Sequence, residues 1–337
     1  MIRHNRPTLG LQEQEAATRA LERGWVAEGV EVEALETELC QFFDLPDGHA
    51  VAVSSGSAAL YLALWALGGN NKRIGLPVYS CSALRNAVGL IGGECNYLDC
   101  EEGSPNVDVS AAIRARVDIL IAPSMFGIPI DLPDSSDLTM IEDIAQSIGA
   151  MVSGKRIGLR GEVGVCSFYA TKLLTSGGQG GAVISRNRTL VERVRDYREF
   201  DCRDDALLRF NFQMTDLQAA VGRVQLKRLP EFLARREKWF QMYKSAGLDL
   251  LDRSGPGVQP VRYRIVMRCA KPASVIAALA LANIGAIVPI EERELLDEPR
   301  LYPAALALAK ATVSLPCYPA LREEDVIQIA RAVSETA

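Results

Sequence analysis

Between residues 49 and 185 short apolar runs alternate with segments of helical spacing, and few architectures tolerate that rhythm. The runs fall at 49–53, 73–76, 94–98, 118–122, 139–142, 163–168 and 182–185. Helical patterns lie between them, clearest at 58–67 and 82–91. Strands that are apolar along their whole length, separated by helices, imply a mostly parallel sheet covered on both faces. The fold class expected is therefore α/β. Ahead of the first run, residues 11–23 read as a helix closed by Gly24. Val32, Leu35, Leu39, Phe42 and Phe43 then share one face of a second helix. In such sheets ligands collect beyond the carboxyl ends of the strands. Ser54, Asp143 and Lys172 all fall at those ends, so three signals converge on one crevice.

Each signal carries a chemistry and an ordinary alternative. Ser54-Ser-Gly-Ser57 joins a buried strand to a helix; small residues and a helix N-terminus make a phosphate cradle, and equally a plain serine cap. Asp143 ends the strand of Ile141-Glu-Asp-Ile-Ala-Gln-Ser-Ile-Gly149. A buried carboxylate needs a partner, which a helix N-terminus, an ion pair or a protonated ring nitrogen would each supply. Lys172 closes Cys166-Ser-Phe-Tyr-Ala-Thr-Lys172, ahead of Gly177-Gly-Gln-Gly-Gly181. Among apolar neighbours its neutral amine is favoured, as Schiff-base chemistry requires; alone, it would equally be a lysine reaching to solvent.

Composition narrows the function classes. A net charge of −5 leaves no footprint for nucleic acid or an anionic membrane. Two histidines, and eight cysteines without a CxxC pair, supply neither a metal centre nor a Ser-His-Asp triad. With no signal peptide in Met1-Ile-Arg-His, the thiols read as reduced and cytoplasmic. The apolar run at 273–290 is broken at Asn283-Ile-Gly285 and reads as a helix followed by a buried strand, not a membrane span.

The C-terminal half is helical and charged from 190 to 244. Charges between 186 and 209 read as a solvated face. Thr215 caps a helix, and Leu229-Pro230 precedes a second long one that leaves the first unit. Residues 250–260, rich in Gly and Pro, read as a linker. Beyond it lies a small α/β unit: strand 262–269, helix 273–283, strand 286–290 and helix 323–333. The division expected is a large domain of 1–230, with the helices of 1–45 packing near the small domain of 231–337.

Taken together, SSGSAAL (54–60), IEDIAQSIGA (141–150), CSFYATK (166–172), GGQGG (177–181) and FNFQMTDLQAAVGRVQL (210–226) resemble the DegT/StrS family of pyridoxal-phosphate-dependent sugar aminotransferases. Five motifs in family order and spacing make the resemblance strong, and it extends over nearly the whole chain. It implies the aspartate aminotransferase fold (fold type I) and pyridoxal 5'-phosphate as cofactor. Lys172 matches the lysine that forms the Schiff base and shuttles the proton. Asp143 matches the partner of the pyridine nitrogen, and Gln146 the neighbour of the phenolic oxygen. Ser167 and the backbone of Gly56, Ser57 and Ala58 match the phosphate cup. Asn211 matches an asparagine that reaches the phosphate of a neighbouring subunit, implying a homodimer with a shared site. The substrates implied are an amino donor such as glutamate and a keto-sugar.

Departures from the family pattern keep alternatives open. Cys81 stands where an aromatic residue usually stacks on the cofactor ring, and Ser124 where a histidine is common. Pro289-Ile-Glu-Glu-Arg293 is short and lacks the usual histidines. An elimination or dehydration on the same cofactor, or a non-catalytic relative that binds cofactor or sugar, are the competing readings.

Overall fold

The computed structural model describes residues 1–132 and 138–335. Helices α1 (Leu11–Glu22) and α2 (Val30–Phe42) lead into β1 (Ala50–Val53) and α3 (Gly56–Ala66). There follow β2 (Arg73–Pro77), α4 (Ala83–Ile91), β3 (Glu94–Leu98), α5 (Val109–Ala115), β4 (Ile119–Pro123) and β5 (Thr139–Asp143). After the short β6 (Met151–Val152) and β7 (Lys155–Arg156) come β8 (Val163–Ser167), β9 (Gly181–Ile184) and α6 (Arg188–Arg198). The remainder comprises α7 (Asp216–Ser245), β10 (Val258–Gln259), β11 (Ile265–Arg268), α8 (Pro272–Leu281), α9 (Pro303–Lys310), β12 (Thr312–Leu315) and α10 (Glu323–Ser334).

Seven strands form the main sheet in the order β1-β9-β8-β5-β4-β2-β3. All pairs are parallel except those of β9, which runs against both β1 and β8. The sheet is thus mostly parallel, as the alternation of apolar runs requires. Strands β1, β4, β8 and β9 are buried along their whole length because helices cover both faces. On one face Leu62 and Leu64 of α3 and Val88 of α4 pack with Val51, Ile121 and Val165. Each such side chain contributes about 1.5–3 kcal/mol on burial. On the other face Leu35 and Leu39 of α2 meet Leu226 and Leu229 of α7. A third apolar cluster joins Trp239 and Tyr243 of α7 to β11, β12, α8 and α10.

Three readings of the C-terminal half change. Helix α7 runs unbroken from Asp216 to Ser245 with Pro230 inside it. Proline removes one helical hydrogen bond, but buried Leu226, Leu229 and Phe232 hold the helix on both sides of it. The expected strand at 286–290 does not form. Ile287 makes a single bridge to Ser314, and among the described residues that sheet is the pair of β11 and β12. The stretch 250–260 is not a loose linker: Leu250 bridges Met267, and β10 pairs with β6. Helices α1 and α2 pack on α7. The α2 side chains also share their cluster with Leu233, Val261 and Tyr263, and the segment ahead of α1 reaches the C-terminal elements through the Ile2–Ile284 bridge, His4 Nε2 with Ser314 Oγ at 2.9 Å and Arg6 over the Tyr318 ring.

The charges of 186–209 are not simply a solvated face. Arg198 is buried, and its guanidinium bridges Glu28 and Glu36, each at 2.5 Å, while also donating to the carbonyl of Ala52. Arg195 joins the same group through Glu36 at 2.7 Å. Among the described residues no helix is long and apolar enough to cross a membrane.

Candidate active site

A cavity of about 630 Å³ opens beyond the carboxyl ends of β5 and β8. Its walls include Gly56 and Ser57, Cys81, Asp143 and Gln146, Ser167 and Lys172, and Tyr263 and Arg264. Lys172 and Asp143, 29 residues apart in sequence, thus face one space.

The helix start at one wall is set by two close approaches. Ser55, not Ser54, is the cap: its Oγ accepts the amide of Ala58 at 3.1 Å, and α3 begins two residues earlier than its pattern suggests. A Cβ at Gly56 would lie 2.7 Å from Cβ of Ser167, and one at Gly181 would lie 2.6 Å from the backbone of Ser55. Only glycine lets the start of α3 settle onto the ends of β8 and β9. The first amides of a helix have no intrahelical acceptor, and a partial positive charge accompanies them. Gly56 and Ser57 therefore bring anion-binding amides to the cavity. Ala58 does not line it: its side chain packs in the core, and its amide is taken by the cap.

Asp143 ends β5 deep in the wall. Its Oδ1 accepts the amide of Ala145 at 2.9 Å. Burial pushes its carboxyl above the ordinary carboxylate range, against that hydrogen bond and the charge of Lys172. The neighbouring Glu142 makes the structural ion pair instead, accepting from Arg160 Nε at 2.8 Å and from the amide of Gly158 at 2.7 Å. Gln146 Oε1 accepts the amide of Phe126 at 2.8 Å. Lys172 follows a tight turn, its amide donating to Tyr169 at 2.9 Å, and its ammonium lies 5.1 Å from the centre of the Tyr263 ring. Cys81 borders the cavity with its side chain exposed, whereas Ser124 is buried and its Oγ accepts the amide of Ile130 at 3.2 Å. Asn211 is exposed and does not line this cavity; its Oδ1 accepts the amide of Gln213.

Tyr263 and Arg264 were not singled out from the sequence. The available signal was the alternation in Val261-Arg-Tyr-Arg-Ile-Val-Met-Arg268, where charge enters an otherwise apolar strand. The segment is clamped by a strained turn. Phe126 has φ 60°, and a Cβ at Gly127 (φ 91°) would strike the carbonyl of Val261. Val261 donates to Gly127 at 2.9 Å and Arg264 to Phe126 at 3.4 Å. Burial raises the Tyr263 phenol, but the charges of Lys172 and Arg264 and a hydrogen bond with Thr171 outweigh it and leave its pKa lowered. Among the described residues no cluster of three or more His, Cys, Asp or Glu could hold a metal ion.

Comparison with known proteins agrees with this geometry. A dTDP-3-amino-3,4,6-trideoxy-alpha-D-glucose transaminase of Streptomyces venezuelae is 31% identical, covering 96% of this chain and 91% of its own. The erythromycin biosynthesis sensory transduction protein EryC1 of Saccharopolyspora erythraea is 30% identical over 92% of this chain and 91% of its own. The crystal structure of the aminotransferase TlmJ from Streptoalloteichus hindustanus superposes with a TM-score of 0.93. It covers 100% of this chain and 98% of its own at 24% identity, which shows the shared fold, fold type I of the pyridoxal-phosphate-dependent enzymes. The model of one family matches residues 7–334. With its sheet order, its cavity and its relatives in agreement, the chain belongs to the DegT/DnrJ/EryC1/StrS aminotransferase family.

Proposed function

We propose that this protein uses pyridoxal 5'-phosphate to move an amino group from an amino acid, such as glutamate, to a keto-sugar. The observation that carries the reading is the meeting of Lys172, Asp143 and the start of α3 around one cavity. The name of the Streptomyces venezuelae transaminase supports a sugar as acceptor.

The residues fit the cofactor on their own chemistry. Asp143 is a buried carboxylate whose ionised form is disfavoured where it stands; a protonated ring nitrogen would neutralise it. The helix start at Gly56 and Ser57 lines the cavity with amides that have no intrahelical acceptor, which suits a phosphate. Bound here, the cofactor would supply an electron sink for the carbon that carries the amino group. Asp143 would hold the proton on the ring nitrogen. Lys172 would tether the cofactor through its amine and then move a proton at the amine-bearing carbon of the substrate. The amides of Gly56 and Ser57, with the hydroxyl of Ser167, would hold the phosphate. Gln146 would border the phenolic oxygen and Cys81 the ring face.

Asn211 would serve the cavity of a second copy. That reading is supported by its exposure beside Leu208 and Phe210, which are 89% and 65% exposed. Apolar side chains so placed favour a covering partner. The division into units of 1–230 and 231–337 stands as part of the same reading, supported by the separate cluster of Trp239 with β11, β12 and α10.

The test is spectroscopic. Protein mixed with pyridoxal 5'-phosphate should gain a visible absorption band; sodium borohydride should discharge that band and leave the cofactor covalently attached, and glutamate should bleach it. Lys172→Ala should show no such band while keeping the wild-type circular dichroism. A wild-type protein that takes up no cofactor would overturn the reading.

A further inference from the structure

Arg264 borders the cavity with a guanidinium that its own chain does not neutralise. Its Nη1 is buried and has no hydrogen-bond partner, and no carboxylate among the described residues comes within 4.0 Å of the group. The other cavity arginines differ. Arg85 is exposed at the rim, and Arg293, 81% exposed, is paired with Glu291 at 2.7 Å. Glu294, a cavity carboxylate, is engaged with the amide of Glu291 at 2.8 Å. Among the groups that feel the charge of Arg264 are His4, Tyr79 and Tyr263. None of these is a counter-anion. A guanidinium nitrogen buried without an acceptor is costly, and planar guanidinium groups match carboxylates through two parallel hydrogen bonds.

Position narrows the anion. The Arg264 guanidinium lies 5.7 Å from the centre of the Tyr263 ring, and the Lys172 ammonium lies 5.1 Å from the same centre. In an α-amino acid the carboxylate is one bond from the carbon that bears the amine. A carboxylate seat must therefore share the neighbourhood of the lysine, whereas phosphates of a nucleotide-linked acceptor can extend to the rim near Arg85 and Arg293. The turn at Phe126-Gly127 fixes the backbone of Arg264, so the seat is preorganised.

We infer that Arg264 seats the carboxylate of the amino donor and thereby selects an α-amino acid, an inference that rests on the aminotransferase reading above. Calorimetric titration of cofactor-free protein with glutarate, an unreactive dicarboxylate, reads the seat directly. Arg264→Met should raise the Kd for glutarate at least tenfold and Arg264→Lys by less, while Arg85→Met and Arg293→Met leave it unchanged. Uridine diphosphate, the probe for an acceptor anion, should bind wild type and Arg264→Met alike. In the loaded enzyme Arg264→Met should raise the KM for glutamate at least tenfold, with the visible cofactor band intact. An unchanged glutarate Kd in Arg264→Met overturns the inference. So does selective loss of uridine diphosphate binding, which would give Arg264 to the acceptor. A missing band in wild type would instead refute the cofactor reading, while the glutarate titration still reports on Arg264.

Discussion

Replacing Gly56 by alanine tests the junction on which the cavity depends. The added Cβ would stand 2.7 Å from Cβ of Ser167 and 2.9 Å from its Oγ. That falls short of the 3.4 Å at which ordinary contact begins by about 0.7 Å. Cβ of Ser167 is fixed to the backbone at the end of β8, so rotation of the hydroxyl relieves only the second contact. The start of α3 must then lift from the sheet, an overpacking cost of about 1–3 kcal/mol. For a chain of this length that corresponds to a fall in Tm of about 1–4 °C. The same lift carries the amides of Gly56 and Ser57 away from the place a phosphate would occupy. Gly56→Ala should therefore bind pyridoxal 5'-phosphate at least tenfold more weakly, read from the visible band in a cofactor titration. Ser167→Gly added to Gly56→Ala removes the Cβ it meets and should restore most of the lost Tm, though not the hydroxyl proposed to hold the phosphate. If Gly56→Ala melts and binds like wild type, the junction is not the close contact described here.

Three further outcomes follow from the site and its supports. Asp143→Asn should lower kcat/KM at least 100-fold, about 2.7 kcal/mol. Its cofactor-free form should also lose a pH dependence. Because burial raises the wild-type carboxyl, wild-type stability falls as pH rises from the ordinary carboxylate value through the raised one, a slope visible in urea titrations and missing from the variant. Burial, reinforced by the charge of Arg264, lowers His4 from 6.5 to about 3. The unfolded chain then binds a proton that the folded one refuses, so stability should fall as pH drops from 6.5 toward 3, by up to about 1.4 kcal/mol per pH unit. His4→Gln should flatten that slope and Arg264→Met should narrow its range; an unchanged slope in His4→Gln refutes the assignment. Arg198→Ala would leave Glu28 and Glu36 without their shared cation, and should destabilise by about 3–5 kcal/mol in urea unfolding; a loss under 1 kcal/mol refutes it.

Much of the sheet was legible because its central strands are mainly apolar, and 94–98, polar at Glu94 and Asn96, still falls on β3 without change. Lys172, Asp143, Gln146, Gly56, Ser57, Cys81 and Ser167 all reached one cavity because each ends or follows a strand that points to the same edge. What failed did so for tertiary reasons. Pro230 looked like a boundary because local rules stop helices at proline, yet packing on both flanks carries α7 through it. Residues 286–290 have a strand composition, but β12 already pairs with β11 and offers them one bridge. Arg198 looked solvated because the carboxylates it bridges, Glu28 and Glu36, are more than 160 positions away in the chain. Tyr263 and Arg264 come to the cavity with the help of the clamp at Phe126-Gly127, a contact across more than 130 residues that no local window contains.

Helix α7 has a consequence for how this chain can vary. At its first turn the Asp216 carboxylate accepts the amides of Glu31 and Val32 at the start of α2, and near its far end Trp239 and Tyr243 enter the cluster of β11 and β12. The two docking points are engaged by one continuous rod of 30 residues, about 45 Å long. Deleting a single residue between them would swing one docking face about 100° relative to the other and shorten the rod by about 1.5 Å. Insertions and deletions should therefore be accepted in the surface connections and rejected here, so that the count of residues from 216 to 243 acts as a measuring rule for the molecule.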